Sequence, residues 1–176
     1  MLKIEHLTKS YGDKVAASDI CLHIQPGEIY AFIGHNGAGK TTTIRILMDV
    51  FHANSGEITL DGKPFEPRKV QIGYLPEERG LYPKRKVLEQ MIYLAMLRGV
   101  SRKTASANAK RWLERLEVSQ YQDRLLETLS KGNQQKVQLA ATLVHNPPVI
   151  ILDEPFSALD AKIRAQMREE LKKIQE

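Results

Sequence analysis

Residues 29–42 read IYAFIGHNGAGKTT. Ile29 to Ile33 is a short, nearly continuous apolar run, which predicts a strand buried on both faces of a parallel sheet. Gly34-His35-Asn36-Gly37-Ala38-Gly39-Lys40-Thr41 follows at once and fits G-x-x-x-x-G-K-[ST] in full. Glycines let the backbone curl so that several N–H groups point into one concavity. From Thr43 to Phe51, the apolar residues Ile44, Leu47 and Met48 recur at helical spacing. A helix starting there puts its positive N-terminal end behind the loop, which favours phosphate oxygens. In this reading Lys40 reaches the β- and γ-phosphates, Thr41 gives its hydroxyl to Mg²⁺ and Thr42 adds a phosphate contact. A glycine-rich connector would not need the lysine, the threonine and the flanking strand and helix together.

A second part of the chain fits the same chemistry. Val149-Ile150-Ile151-Leu152 reads as a buried strand that ends in Asp153-Glu154-Pro155. A carboxylate at such a tip, beside a phosphate loop, is suited to hold Mg²⁺ directly or through water. Glu154 would then orient and polarise the attacking water.

Around these lie three zones. Met1 to Leu7 and Ile20 to Ile24 alternate as strands, and Gln25-Pro26-Gly27-Glu28 is a turn. Asn54-Ser55-Gly56 closes the first helix, Glu57 to Leu60 is a strand, Asp61-Gly62 is a tight hairpin and Gln71 to Pro76 is a strand running into a loop. From Val87 to about Leu126 the pattern is helical and charge-rich, with a stripe of Leu88, Met91, Ile92, Ala95 and Met96. Ser101 caps a second helix carrying Trp112, Leu113 and Leu116. Val137, Ala140, Ala141 and Val144 form one apolar face of a further helix, which Asn146-Pro147-Pro148 stops. From Ala161 the sequence reads as helical and highly charged.

Composition sets the outer bounds. The 176 residues carry 26 Lys+Arg and 21 Asp+Glu, a net charge of +5, with 42% hydrophobic and 27% charged residues. That is globular composition, not fibrous or disordered. No apolar run reaches the length of a membrane span, and the start MLKIEHLTKS has no secretory h-region. The single cysteine, Cys21, excludes an intrachain disulfide framework. Pro83-Lys84-Arg85-Lys86 reads as a solvated basic turn.

These motifs, in this order, resemble the nucleotide-binding subunit of ABC transporters, over the chain from Leu2 to Gln175. Tyr11 sits where that family carries an aromatic that stacks on adenine. Leu129-Ser130-Lys131-Gly132-Asn133-Gln134-Gln135 looks like the family signature LSGGQ with its following glutamine. Ser130 reads as an N-cap, and a helix N-terminus with small residues is an anion site. In the family this segment faces the γ-phosphate held by the other subunit of a dimer, which implicates Ser130, Gly132 and Asn133. Lys131 replaces a glycine and Asn133 replaces a glutamine, and both keep polar donors there. Ser157-Ala158-Leu159-Asp160 resembles the D-loop at the dimer interface. Glu77 lies where the family usually has the Q-loop glutamine. It can contact Mg²⁺ or the lytic water but cannot donate as an amide does.

The resemblance implies an α/β fold. Its core is a P-loop NTPase (RecA-like) sheet, with an N-terminal antiparallel β subdomain and an inserted α-helical subdomain. One ABC ATPase domain would span residues 1–176. Its α/β core and β subdomain would take about 1–82 and 146–176, and the helical part with the signature helix about 83–145. The family's switch histidine lies on a further strand beyond the D-loop helix, and neither His145 nor His35 is placed to replace it. The chain is therefore expected to be C-terminally incomplete, with turnover in question. The implied cofactors are ATP and Mg²⁺. The implied partners are an integral-membrane permease and a second ATPase subunit, identical or paired, with no nucleic acid. The implied location is the cytoplasmic face of the membrane, held there through the permease. The stretch GYLPEERGLYP is similar to a branch of bacterial exporter ATPases with separate membrane subunits. Two alternatives stand beside this reading. One is a soluble ABC ATPase of DNA repair or translation, against which stand the lack of a heptad run and the single visible domain. The other is a nucleotide-binding fragment that does not hydrolyse.

Overall fold

The computed structural model describes residues 1–28, 30, 32, 35, 37–76 and 80–153. They divide into two units, Met1–Val70 and the chain from Gln71 onward.

In the first unit the strands β1 (Leu2–Tyr11), β2 (Lys14–Ile24), β3 (Ser55–Leu60) and β4 (Lys63–Pro64) form one sheet. Its order is β2-β1-β3-β4, with every neighbour antiparallel. β1 and β2 run longer than their clearest alternation because the register shifts at bulges, which break the period of two. Leu2, Ile4, Leu7, Ala17 and Leu22 are buried on the sheet. Helix α1 (Lys40–Leu47) adds buried Thr43, Ile46 and Leu47 and packs on β2. Burying each large aliphatic side chain contributes about 1.5–3 kcal/mol. The expected Asp61-Gly62 hairpin is present, with φ of 52° and 74°. Two left-handed central residues match the twist of the flanking strands. The Met1 ammonium pairs with the Asp61 carboxylate across that turn. Ile29, Ala31 and Ile33 of the expected buried strand lie outside the described residues. Tyr30 and Phe32 have no strand assignment, and Tyr30 is exposed.

In the second unit β5 (Ile72–Leu75) and β6 (Val149–Leu152) pair in parallel, Ile72 opposite Val149 and Leu75 opposite Leu152. The connection between them carries α2 (Val87–Leu97), α3 (Arg102–Arg115), two short 3₁₀ turns and α4 (Lys131–Leu143). α4 packs against α2, α3 and β5. Its burial is not confined to one stripe: Gln134, Lys136, Gln138 and Thr142 are buried with Val137, Leu139 and Ala140. Gly73 is required where β5 meets α4, since a Cβ there would lie 2.8 Å from Pro147 Cγ and 2.9 Å from the Thr142 carbonyl. The stripe expected on α2 is shifted. Val87, Gln90, Met91 and Ala95 are buried, Leu88 and Ile92 pack at the margin, and Met96 is exposed. Gln90 goes inside because its amide accepts from Tyr82 N (3.0 Å) and donates to the Arg85 carbonyl (3.3 Å). Ser101 caps α3 as expected, accepting from Thr104 N at 3.2 Å.

Candidate functional site

In the first unit the phosphate-loop residues turn directly into α1. Gly37 and Gly39 have φ of 89° and 83°, a conformation that L side chains rarely adopt. Gly39 is the N-cap of α1 and supplies no side-chain cap, and no acidic side chain lies in the first turn. The helix start thus keeps its positive character for an anion. Ala38 N donates to the His35 carbonyl at 3.1 Å, and Lys40 Nζ reaches the same oxygen at 3.1 Å. Lys40 is thereby drawn back over the loop. Thr43 locks the turn from inside: its N–H and its Oγ1 both donate to the Gly39 carbonyl, at 2.8 and 2.9 Å. Thr41 is exposed and Thr42 half-buried. Left-handed glycines, an uncapped helix start and a lysine over the loop are a donor set that fits a nucleotide phosphate. Gly34 and Asn36 lie outside the described residues.

Tyr11 ends β1 in the same unit. It is 45% exposed, with Lys9 Nζ 5.2 Å from its ring centroid. Phe51 meets it edge to face at 5.7 Å and 80°. A ring steadied from one side and open to solvent can stack on a planar ligand. Sequence reasoning missed Phe51, because nothing local ties the end of α1 to the end of β1.

In the second unit Ser130 caps α4, with Asn133 N donating to its Oγ at 3.4 Å and Gln134 N to its carbonyl at 2.9 Å. Gly132 is buried and Asn133 half-buried. Gln134 Nε2 donates back to the Leu129 carbonyl at 2.9 Å, which fixes the entry into the helix. Asp153 extends the β5–β6 pairing by one bond, its N–H donating to the Leu75 carbonyl at 2.9 Å. The Tyr74 hydroxyl donates to Asp153 Oδ2 at 3.1 Å. Tyr74 therefore aims the carboxylate, a role that sequence reasoning missed. Parallel register was the available signal, because it sets Tyr74 opposite Ile151, next to the strand end. Glu77, Glu154 and Ser157–Asp160 lie outside the described residues. A cleft of about 480 Å³ in the same unit is lined by Tyr82, Arg85, Glu89, Gln90 and Tyr93. The turn from Pro83 to Lys86 is exposed, as expected. Among the described residues no helix is long and apolar enough to cross a membrane.

The ABC transporter family model matches residues 17–157. The chain is 45% identical over 161 residues to YhaQ of Bacillus subtilis (strain 168), described as an uncharacterised ABC transporter ATP-binding protein. That match covers 91% of this chain and 54% of YhaQ. It is 34% identical over 178 residues to PotA of Clostridium novyi (strain NT), a spermidine/putrescine import ATP-binding protein, covering 99% of this chain and 51% of PotA. Among solved structures it is similar to the dimeric bacterial ABC transporter cassette MJ0796, with a TM-score of 0.84 and 27% identity, covering 99% of this chain and 83% of that one. The chain spans about half the length of the curated relatives it matches. Its fold is the P-loop NTPase fold of such cassettes.

Proposed function

The chain belongs to the ABC transporter family, and on that premise we propose that it binds and hydrolyses ATP to drive a membrane permease. The observation that carries this reading is the loop-to-helix turn at Gly37–Lys40, with two left-handed glycines and an uncapped helix start. Gly34 to Thr42 cradle the phosphates and Tyr11 stacks on the base. Thr41, Asp153 and Glu77 hold Mg²⁺, which neutralises charge on the phosphate oxygens. Glu154 orients the attacking water and Lys40 stabilises the transferred phosphoryl group. Ser130, Gly132 and Asn133 close on the nucleotide of a second subunit, identical or paired. The resemblance to the dimeric MJ0796 cassette supports that arrangement.

The domain reading places the α/β core and β subdomain at about 1–82 and 146–176 and the helical part at about 83–145. The cleft lined by Tyr82, Arg85 and Tyr93 supports a permease loop docking on that helical part. Such docking holds the protein at the cytoplasmic face of the membrane. The finer reading is an exporter, supported by the resemblance of Gly73 to Pro83 to that branch. PotA, an import protein, is among the relatives matched, so vesicle transport by the assembled complex decides direction. Nucleotide binding and hydrolysis by the full-length protein test the core of the proposal. Glu154→Gln is expected to retain ATP binding, abolish turnover and trap a dimer. Hydrolysis by Glu154→Gln at the parental rate would refute it, and wild-type binding without turnover would favour a non-hydrolysing role.

A further inference from the structure

The first unit carries a second constellation, on the sheet and outside the phosphate loop. Between β1 and β2 the pairing runs Ile4 opposite Leu22 and then Leu7 opposite Ile20, so Glu5 and His6 together face Cys21 alone. The next pair is Lys9 opposite Ala17, so Thr8 faces both Ser18 and Asp19. Two bulges thus sit back to back, one on each strand. Each contains a non-glycine residue in left-handed backbone, His6 at φ 52° and Asp19 at φ 53°. That conformation is uncommon and unfavourable for L residues, and bulges re-aim side chains. The effect here is visible in burial. Ile4 and Leu7 are both buried although three residues apart, so His6 is turned away from the core face that strict alternation would give it.

We propose that His6, Asp19 and Cys21 form a binding site for a zinc-type divalent transition-metal ion on this sheet. One ligand atom from each of the three lies within 4.8 Å of the others. His6 Nδ1 is 2.7 Å from Asp19 Oδ1 and 3.9 Å from Cys21 Sγ. Tetrahedral zinc with its usual bond lengths separates such ligand atoms by about 3.3–3.6 Å. Binding therefore asks the two His6 contacts to move by about 0.3–0.9 Å and the Asp19–Cys21 pair by no more than about 1.5 Å. Backbone groups already orient the ligands. His6 N donates to Cys21 Sγ at 3.2 Å, and Asp19 N donates to Thr8 Oγ1 at 3.1 Å. The first of these bonds fixes the position of the sulfur beside the His6 ring. Imidazole with thiolate selects zinc-type ions over Mg²⁺. The side chains of His6 and Asp19 are 78% and 70% exposed, which leaves a fourth position for water.

The test is titration of the reduced full-length protein with Co²⁺, followed by displacement with Zn²⁺. One equivalent of Co²⁺ is expected to produce a thiolate-to-cobalt charge-transfer band in the near ultraviolet, with the visible bands of a tetrahedral ion. Zn²⁺ should bleach both, and Mg²⁺-ATP should not. Cys21→Ser removes the charge-transfer band. His6→Asn and Asp19→Asn keep residues that tolerate left-handed backbone, and each is expected to weaken Co²⁺ binding about tenfold or more. Absence of the band in the wild-type protein overturns the proposal. So does a band of undiminished affinity in the His6→Asn/Asp19→Asn double variant, since that is binding by a thiolate alone.

Discussion

Two glycines of one loop separate backbone strain from steric crowding. Gly37 and Gly39 share left-handed backbone, with φ of 89° and 83°. A Cβ on Gly37 would meet nothing within 4 Å. A Cβ on Gly39 would lie 2.9 Å from the Ala16 carbonyl, 3.0 Å from Ala17 Cβ and 3.1 Å from Ala17 Cα. Ala17 is buried on β2, so these neighbours have little room to retreat. Left-handed backbone costs an alanine about 1–2 kcal/mol, and both substitutions incur it. Overpacking adds about 1–3 kcal/mol, and only Gly39→Ala incurs that. The entropic gain from stiffening the unfolded chain is common to both and cancels in the comparison. Gly37→Ala is therefore expected to cost about 1–2 kcal/mol and Gly39→Ala about 2–5 kcal/mol. At about 2–4 °C per kcal/mol for a chain of this size, the two variants should differ in Tm by about 2–12 °C. Urea and thermal unfolding of the nucleotide-free protein, followed by circular dichroism, give the comparison. Equal losses in the two variants, or a larger loss in Gly37→Ala, would refute the claim that the loop packs against β2 at Gly39.

Thr43→Val removes the Oγ1 bond to the Gly39 carbonyl while the backbone bond to that oxygen remains. The loss should be about 0.5–1.5 kcal/mol, seen as a Tm lower by a few degrees. Ser130→Ala removes a long cap bond of 3.4 Å, so stability should fall by only about 0.5–1 kcal/mol. Turnover of the full-length protein should fall further than that, with nucleotide binding retained. If turnover merely tracks stability, Ser130 is a cap and nothing more. Burial holds His145 below the ordinary histidine value, with Arg98 acting the same way and a backbone hydrogen bond at Ile72 opposing. Its Nε2 is buried without a hydrogen-bond partner. Below about pH 6.5 the unfolded chain therefore binds a proton that the folded chain resists, and stability falls as pH falls. Urea midpoints between about pH 7.5 and pH 5.5 should show this slope reduced in His145→Gln. Identical slopes in the two proteins would remove His145 as its source.

What the sequence made legible, and what it hid, follows from how far apart the cooperating residues lie. The loop Gly34 to Thr42 is contiguous, so its glycines, lysine and helix start could be read together. The same holds for the Ser101 and Ser130 caps, whose N–H donors lie three residues away, and for the Asp61-Gly62 hairpin. Hydrophobic periodicity served less well wherever a polar group finds its partner inside. Gln90 reads as a solvent residue on α2, yet it is buried because its amide closes the preceding turn. Gln134 and Thr142 are buried on α4 for the same reason, bonded to the carbonyls of Leu129 and Gln138. A hydropathy stripe scores the side chain and cannot see the carbonyl that receives it. β1 and β2 were hidden differently. Adjacent register shifts change parity, so the alternating pattern fades at the point where His6, Asp19 and Cys21 come together. Tyr74 and Asp153 show the longest reach, a sequence separation of 79 closed by parallel pairing of β5 with β6. Parallel pairing needs a crossover, and here the crossover is the whole helical part of the second unit. The orientation of the Asp153 carboxylate thus depends on that part folding. A substitution in its core, such as one at the fully buried Leu113, should loosen the Tyr74–Asp153 contact without touching either residue.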